Sequence, residues 1–282
     1  MAALQHRVSS SAARGGSVRP VGKAPADSEE DGQSSTVVGR LEAILASFDG
    51  CDRALSLSEI SQRIGLPKST VHRLANQLCE VGWLERNSGG YRVGLRLLEL
   101  GSVALQRTGL REAAFKHLHS LALRTGMVAH LGILDHGEVV YLDRVTTTRA
   151  KLPTRVGGRE PAYCTALGKV LLAYEKPASQ ASALANPKRR TEFTVIDPRA
   201  IQATLDSARQ TGIAYDREEA YKGLGCVASP IRSGDRVIGA ISVTGPIARI
   251  RAHSLVHEVR NTALAIWSGD VVPLARPLAT AR

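Results

Sequence analysis

The chain has 282 residues, of which 43% are hydrophobic and 22% are charged, and this composition is typical of a globular protein. Its apolar residues occur in short clusters, and no run approaches the roughly 18 residues that a membrane span requires. The first 36 residues also lack the apolar core of a signal peptide, so the sequence predicts a cytoplasmic protein with no membrane partner.

The net charge of +11 is unevenly distributed along the chain. Residues 1–93 contain 11 basic and 10 acidic residues, whereas residues 94–282 contain 26 basic and 16 acidic residues. Such an excess is typical of proteins with a polyanionic partner or an acidic ligand. The four cysteines lie far apart without a CxxC pair, so we predict no disulfide framework, no structural metal and no cofactor.

The N-terminal segment, residues 1–36, has scattered charge and almost no aliphatic periodicity, so we predict a disordered arm. From Val38 to about Gly50 apolar residues recur at helical spacing, which predicts a first helix.

The next two helices are marked by their ends. Ser56 and Glu59 have the spacing of a capping box that opens a second helix, which Gly65 ends. Pro67 suits the first position of a third helix, which Gly82 ends. Two strand-like runs around the turn at residues 87–90 then predict a hairpin. This order of elements is that of a winged helix-turn-helix, which is a DNA-binding module.

The face of the third helix opposite its apolar stripe carries side chains that can bind phosphates or base edges. The alternative is an ordinary solvated helix face, but the capping box, the turn and the hairpin together favour DNA binding. The predicted DNA-contacting residues are Lys68, Ser69, Thr70, His72, Arg73 and Asn76, with Asn87 and Arg92 on the hairpin.

The segment at residues 94–109 predicts a helix whose leucines occupy more than one face, and we interpret it as a linker and a dimer contact. The rest of the chain mixes helical and strand-like patterns, so we predict an α+β second domain. Its predicted helices are at 110–124, 165–174, 178–185, 198–211 and 254–267, and its strands at 129–133, 139–145, 225–231 and 237–244.

Residues 55–101, which read LSLSEISQRIGLPKSTVHRLANQLCEVGWLERNSGGYRVGLRLLELG, resemble the DNA-binding half of IclR-family bacterial transcriptional regulators. Four later runs resemble that family's C-terminal half in the correct order: GEVVYLDRV, PAYCTALGKVLLAY, YDREEAYKGLGCVASPI and VIGAISVTGP. The resemblance implies a GAF-like effector-binding domain and homodimers or dimers of dimers on a double-stranded DNA operator. It also implies control of transcription by a small organic molecule.

The residues also point to a pocket for a small acid. Alternation places Ser242 and Thr244 on one face of an aliphatic strand, and buried hydroxyls need partners. The alternative for each hydroxyl is ordinary packing with a backbone hydrogen bond. Tyr163, Cys164 and Thr165 precede a helix whose free amides form an anion site. Matching the family's pocket positions implies Leu152, Ala166, Leu167, Asp216, Leu224, Cys226, Ser242 and Thr244, with Asp216 and Leu224 on a loop before Cys226.

Two departures from the family leave the identity of the ligand open. Gly225 stands where many relatives have Arg, and Tyr221 and Lys222 stand where an acidic residue and Pro are common. Lys222, predicted near the mouth of the pocket, and the basic second domain favour an anionic effector.

A catalytic function has less support from the sequence than DNA binding and effector binding have. Cys226 or Cys164 could pair with His130 as nucleophile and base, but no local signature places a base beside either thiol. His253 and His257 have the spacing of metal ligands without an HExxH motif. We therefore predict no catalytic residue and no enzyme.

The sequence thus predicts a sequence-specific DNA-binding regulator. We expect a repressor, although the family also contains activators. Its binding to a near-palindromic operator is expected to be controlled by an aliphatic or aromatic carboxylate. The alternative is a small-molecule-binding enzyme or sensor whose helical N-terminus serves only for dimerisation. The predicted divisions are 1–36 (arm), 37–93 (winged helix-turn-helix), 94–109 (linker helix), 110–270 (effector-binding domain) and 271–282 (tail).

Overall fold

The computed structural model describes residues 36–106, 109–147, 152–250 and 253–267. The chain divides into two compact units between Leu98 and Glu99, a point inside the predicted linker segment. The predicted tail and all of the predicted arm except Thr36 lie outside the described residues. Within the described ranges, no helix is both long and apolar enough to cross a membrane.

The first unit contains three helices followed by an antiparallel hairpin. These elements are α1 (Val37–Ala46), α2 (Leu57–Ile64), α3 (Lys68–Glu80), β1 (Leu84–Asn87) and β2 (Gly90–Val93). The predicted capping box is confirmed, because the Ser56 hydroxyl accepts the Glu59 amide and the Glu59 carboxylate accepts the Ser56 amide at 2.8 Å. Two predicted boundaries are wrong by a few residues: α1 ends before Gly50, and Pro67 is the N-cap of α3 rather than its first residue.

The hairpin is joined to the segment before α2. The backbones of Leu55 and Tyr91 form two hydrogen bonds with each other, both 2.8 Å long. Leu55 therefore pairs with β2 as an isolated antiparallel bridge. Gly90 has a φ of +120°, and a Cβ there would lie 2.3 Å from the Leu55 carbonyl oxygen, so this approach requires glycine. Ile44, Leu74 and the buried ring of Tyr91 belong to one apolar core that holds the helices and hairpin together.

The second unit is built on a six-stranded antiparallel sheet. Its strands are β3 (Val128–Asp135), β4 (Glu138–Val145), β5 (Arg159–Pro161), β6 (Ala214–Arg217), β7 (Leu224–Ser233) and β8 (Arg236–Pro246), which lie side by side in the order β5-β4-β3-β8-β7-β6. The helices are α4 (Leu95–Gln106), which crosses the boundary, α5 (Leu110–Thr125), α6 (Ala166–Leu172), α7 (Pro177–Ala183), α8 (Pro198–Thr211), α9 (Ile247–Ile250) and α10 (His253–Trp267), with a 3-10 turn at Ala162–Cys164. The predicted α+β class is confirmed.

Each face of the sheet is covered by helices, and strand alternation assigns residues to the two faces. On β8, Ile241 and Val243 pack into the cluster that contains α5 and α10 side chains. Ser242 and Thr244 therefore face the opposite side, where α6 and α8 contribute a second apolar cluster.

The sequence patterns missed β5, β6 and α9. Asp216 lies within β6, opposite Cys226, and Leu224 is the first residue of β7, so the prediction that both belong to a loop is wrong. The cause is the length and composition of β6, which has four residues, two of them charged. Such a segment has too few positions to show a period of two.

Candidate functional site

The outward face of α3 presents the polar side chains that the sequence assigned to DNA. Val71, Leu74 and Leu78 are buried on the opposite face and fix the orientation of the helix. Lys68, Ser69, His72 and Arg73 are exposed, while Thr70 and Asn76 are partly exposed. The Asn76 amide nitrogen lies 3.5 Å from His72 Nε2. This face can therefore offer donors and positive charge to a polyanion.

The hairpin contributes two further predicted residues in different ways. Arg92 is exposed and pairs with Glu85 at 3.0 Å, and because exposed ion pairs are weak, it can exchange this partner for a phosphate. The side-chain oxygen of Asn87 accepts the Gly89 amide at 2.9 Å, so this side chain stabilises the turn.

In the second unit, a cavity lies on the face of the sheet that carries Ser242 and Thr244. It offers about 30 Å³ to the centres of water molecules, which is room for roughly two of them. Its lining comes from four strands (β4, β6, β7 and β8), the start of α6 and two loops. The lining residues are Tyr141, Thr154, Thr165, Ala166, Leu167, Asp216, Ala220, Tyr221, Leu224, Cys226, Ser242 and Thr244.

Most of the predicted pocket residues meet at this cavity, but Leu152, Tyr163 and Cys164 do not line it. The Tyr163 hydroxyl instead donates to the Lys188 carbonyl at 2.6 Å and accepts the Lys188 amide at 2.9 Å. Cys164 is fully buried, with its sulfur 3.5 Å from the Pro161 carbonyl oxygen. Tyr163 and Cys164 therefore support the cavity wall from outside.

The sequence patterns missed four lining residues. Tyr141 lies two residues after the buried Val139 on β4, so both are on the same face of the sheet. This spacing could have placed Tyr141 at the cavity. Thr154, Ala220 and Tyr221 lie in irregular segments without periodicity. Only the folded chain brings them to the cavity.

The two β8 hydroxyls differ in their hydrogen bonds. Thr244 Oγ1 donates to Cys226 Sγ at 3.2 Å and lies 3.4 Å from His130 Nδ1. Ser242 is 0% exposed, and its hydroxyl, although close enough to Cys226 to lower the pKa of that thiol, has no hydrogen-bond partner of normal geometry among the described residues. A buried hydroxyl without a partner is costly, so Ser242 marks a place where a ligand could bind.

The start of α6 forms one end of the cavity. Thr165 is the N-cap, and its hydroxyl accepts the Gly168 amide at 3.1 Å. Ala166 and Leu167, the first two residues of the helix, line the cavity, and their amides have no acceptor within the helix.

A buried group of charged residues adjoins the cavity. Burial raises the pKa of Asp216 to about 7, although the Glu219 amide donates to its carboxylate at 2.7 Å and Lys169 is nearby. Lys169 forms a buried ion pair with Glu219 and also donates to the Tyr215 carbonyl at 3.0 Å. Asp216 therefore changes protonation near neutral pH at the cavity surface.

Another network holds Tyr221 in the lining. Its hydroxyl donates to the Glu160 carboxylate, which also pairs with Arg190 at 3.1 Å. The Arg190 guanidinium lies 5.6 Å from the centre of the Tyr221 ring. Lys222, predicted near the mouth of the pocket, follows the lining residue Tyr221, but it does not itself line the cavity, is 72% exposed and pairs with Glu192 at 2.6 Å.

Gly225 occupies the position where the resemblance would place Arg, and its environment explains the small residue. A Cβ there would lie 2.7 Å from Ile247 Cδ1 and 2.8 Å from Ile250 Cγ1. Its neighbours on β7, Leu224 and Cys226, line the cavity. Gly225 therefore faces away from the cavity and leaves no room for a longer side chain.

The groups considered for catalysis are in unreactive states. Burial raises the pKa values of Cys164 and Cys226 to about 12, so both remain thiols. Burial lowers the pKa of His130 to about 3, so its imidazole is neutral. The part of the chain that the structure describes contains no cluster of potential metal ligands, and the His253 side chain lies outside it.

The winged helix-turn-helix of the first unit and the sheet with a cavity lined by both apolar and polar residues in the second define a DNA-binding protein with a sensor-type domain. Family models support both halves. One described as the IclR helix-turn-helix domain matches residues 37–88, and one described as the bacterial transcriptional regulator IclR C-terminal domain matches residues 102–268. The chain belongs to the IclR family of bacterial transcriptional regulators, which confirms the resemblance predicted from its motifs.

Relatives agree along most of the chain. The glycerol operon regulatory protein of Streptomyces coelicolor is 34% identical over 80% of this chain and 93% of its own length. The HTH-type transcriptional regulator XynR of Escherichia coli is 36% identical over 81% and 94%. An IclR homolog from Microbacterium hydrocarbonoxydans, solved in complex with 4-hydroxybenzoate, has a TM-score of 0.74 and 32% identity, covering 82% of this chain and 98% of its own. These relatives are regulators, so the enzyme alternative is set aside.

Proposed function

We propose that this protein is a repressor that binds a near-palindromic operator as a homodimer or dimer of dimers and that a small organic acid in the cavity controls its DNA binding. In this proposal residues 37–93 bind DNA, residues 94–109 link the domains and pair two subunits, and residues 110–270 bind the effector. The exposed polar face of α3 supports DNA contact through major-groove base edges and phosphates.

The observation that carries the effector proposal is the Ser242 hydroxyl, which is fully buried at the cavity without a hydrogen-bond partner among the described residues. A carboxylate oxygen could accept from Ser242 and from the amides at the start of α6. Leu167 and Leu224 would cover the apolar part of the acid. A 4-hydroxybenzoate complex of a solved relative is consistent with an organic acid in this family.

The cavity volume limits the size of the effector. Room for roughly two water molecules suits a carboxylate group, and a longer aliphatic chain or an aromatic ring requires the lining to move apart. Tyr221 and Thr154 lie in irregular segments of this lining, so we expect a ring to displace them first.

The experiment begins with selection of genomic fragments that the full chain retains, followed by a panel of aliphatic acids and 4-hydroxybenzoate added to the protein–operator complex. The acid that changes operator affinity is then titrated calorimetrically into the double variant Ser242→Ala and Thr244→Val. We expect a loss of roughly 1–3 kcal/mol per hydrogen bond left unmade to the charged ligand, with DNA affinity unchanged in its absence.

Ser229→Ala provides the matched control, because Ser229 is a buried hydroxyl on the adjacent strand that does not line the cavity. Undiminished affinity of the double variant would contradict this placement of the effector. An effector that is neutral or cationic would contradict the carboxylate, and failure to retain any DNA fragment specifically would contradict the regulator proposal.

A further inference from the structure

A chain of four polar groups runs along one wall of the cavity and behind it. Thr154 Oγ1 lies 2.8 Å from His130 Nε2, His130 Nδ1 lies 3.4 Å from Thr244 Oγ1, and Thr244 Oγ1 lies 3.2 Å from Cys226 Sγ. Thr154, Thr244 and Cys226 line the cavity. His130 is 1% exposed on the central strand β3, so its ring connects two cavity hydroxyls without lining the cavity itself.

The imidazole of His130 is neutral, because burial and the nearby charge of Arg144 hold the pKa of His130 far below its usual range. A neutral imidazole has one nitrogen that donates and one that accepts. The position of the ring proton therefore decides which of the two hydroxyls, Thr154 at Nε2 or Thr244 at Nδ1, donates to the ring and which accepts from it.

Two proton arrangements fit this geometry. With the proton on Nδ1, the ring donates to Thr244, Thr244 donates to the Cys226 sulfur, and the Thr154 hydroxyl donates to Nε2. With the proton on Nε2, the ring donates to Thr154, Thr244 donates to Nδ1, and the Thr154 proton becomes free to point into the cavity. The number of protons is the same in both, since the ring exchanges one proton and the hydroxyls and thiol rotate.

The two arrangements present different chemistry to a ligand. In the Nδ1–H arrangement both hydroxyl protons are used among these four groups, so the hydroxyls offer only oxygen lone pairs and the remaining donor is the weak Cys226 thiol. In the Nε2–H arrangement Thr154 offers a donor. We expect the Nδ1–H arrangement in the absence of an effector, because both hydroxyl protons then have partners and only the thiol, a weaker donor than a hydroxyl, does not.

We propose that His130 is a positioning residue whose tautomer decides whether this wall offers hydrogen-bond acceptors or a donor to the effector. The inference rests on the proposed function, and it narrows the effector to an organic acid with a second oxygen group. The carboxylate would meet Ser242, and the second oxygen would meet the wall containing Thr154. A hydroxyl can donate to Thr154 and leaves the Nδ1–H ring in place, whereas a carbonyl only accepts and therefore selects the Nε2–H ring, so one cavity accommodates both 2-hydroxy and 2-oxo acids.

The test uses ¹⁵N–¹H correlation spectra of the His130 ring in the full chain, which distinguish the two neutral tautomers from the doubly protonated ring. The probes are 2-hydroxybutyrate and 2-oxobutyrate, which differ only in hydroxyl against carbonyl. We expect the Nδ1–H ring in the free protein and with 2-hydroxybutyrate, and conversion to the Nε2–H ring with 2-oxobutyrate.

Variants separate positioning from simple packing. Thr154→Val should abolish the conversion and weaken 2-oxobutyrate binding about fivefold, because one neutral hydrogen bond is lost. Thr154→Ser should restore both, and the control Ser229→Ala should change neither.

Two results would overturn the inference alone: a doubly protonated or Nε2–H ring in the free protein, or one unchanged tautomer with both acids when the Thr154 and Thr244 methyl signals show that both are bound. If neither acid shifts these methyl signals, the assignment of 2-hydroxy and 2-oxo acids to the cavity is contradicted, whereas the proposed function is decided separately by the operator and acid-panel experiment.

Discussion

In the first unit Lys68 and Arg73 project from α3 into solvent, whereas in the second unit Ser242 and Asp216 are almost completely buried beside a cavity. Water satisfies the exposed groups, so their lack of protein partners says little about a ligand. A buried polar group cannot use bulk water and must find a partner or raise the free energy of the fold. The lone Ser242 hydroxyl is therefore stronger evidence for a ligand than any single side chain of α3.

Helix α4, in the predicted linker segment, does not fit this contrast between exposed polar and buried polar groups, because several of its exposed side chains are apolar. Leu98 is 65% exposed in the single chain. If α4 pairs two subunits, Leu98→Glu would bury an unpaired charge at a cost of about 3–5 kcal/mol. We expect self-association and cooperative operator binding to fall together, as measured by sedimentation and fluorescence anisotropy.

Leu123→Glu is the control, since Leu123 on α5 is 68% exposed but lies outside the predicted linker. An unaltered oligomer distribution in Leu98→Glu would remove the dimer contact from α4.

The first unit can be tested at Arg73, which we propose contacts a base edge. Arg73→Ala should weaken binding to the specific site by roughly 1–3 kcal/mol, because a bidentate contact with a base edge has that value. Binding to random DNA should change less. Fluorescence anisotropy on both DNAs measures the difference, with Arg217→Ala in the second unit as the control. Equal losses on both DNAs would show that Arg73 contacts phosphate instead.

The cavity of the second unit should respond to pH near neutrality through Asp216. Burial raises the pKa of Asp216 from its usual 3.8 to about 7, so the folded chain holds this proton more tightly than the unfolded chain. The stability linked to Asp216 is therefore fully present below pH 4 and is lost as pH rises to about 7 and above. An anionic effector bound in the cavity beside Asp216 further disfavours the ionised carboxylate.

Effector affinity should thus fall by up to about tenfold per pH unit above pH 7, since one proton is linked to binding. The neighbouring thiols of Cys164 and Cys226 do not ionise in this range, and the Lys169–Glu219 ion pair adjoins Asp216. Calorimetry from pH 6 to pH 8.5 checks the slope. Asp216→Asn should flatten it, and a slope that persists in this variant would assign the proton to another group.

The smallest effect is expected at Lys68, an exposed residue in the first turn of α3. If Lys68 binds a phosphate, Lys68→Ala should weaken specific and random DNA similarly and reduce the salt slope by about 1 unit. Anisotropy at several salt concentrations measures it. A slope equal to that of the unaltered chain would place Lys68 outside the interface.

Local signals predicted the first unit well. The capping box at Ser56 and Glu59, the glycine at position 65 and the apolar stripe of α3 all act within a few residues, so their consequences do not depend on distant contacts. The same locality explains why the hairpin and the exposed side of α3 could be predicted.

The cavity was predicted only in part, and the failures have a common cause. Ser242 and Thr244 follow from strand alternation, but Thr154 and Tyr221 lie in irregular segments, and Asp216 lies in a strand too short to be periodic. Tyr163 and Cys164 adjoin the helix start in sequence, yet their side chains bond to Lys188 and Pro161 instead of lining the cavity.

The sequence by itself determined the order of elements, the face of α3 that remains in solvent and the family, because periodicity, caps and motifs are written into neighbouring residues. Only the tertiary structure decided which buried groups meet. His130, Thr154 and Thr244 come from β3, an irregular segment and β8, and their hydrogen bonds join residues up to 114 positions apart. Sheet order and long-range packing set those contacts, and no local pattern encodes them.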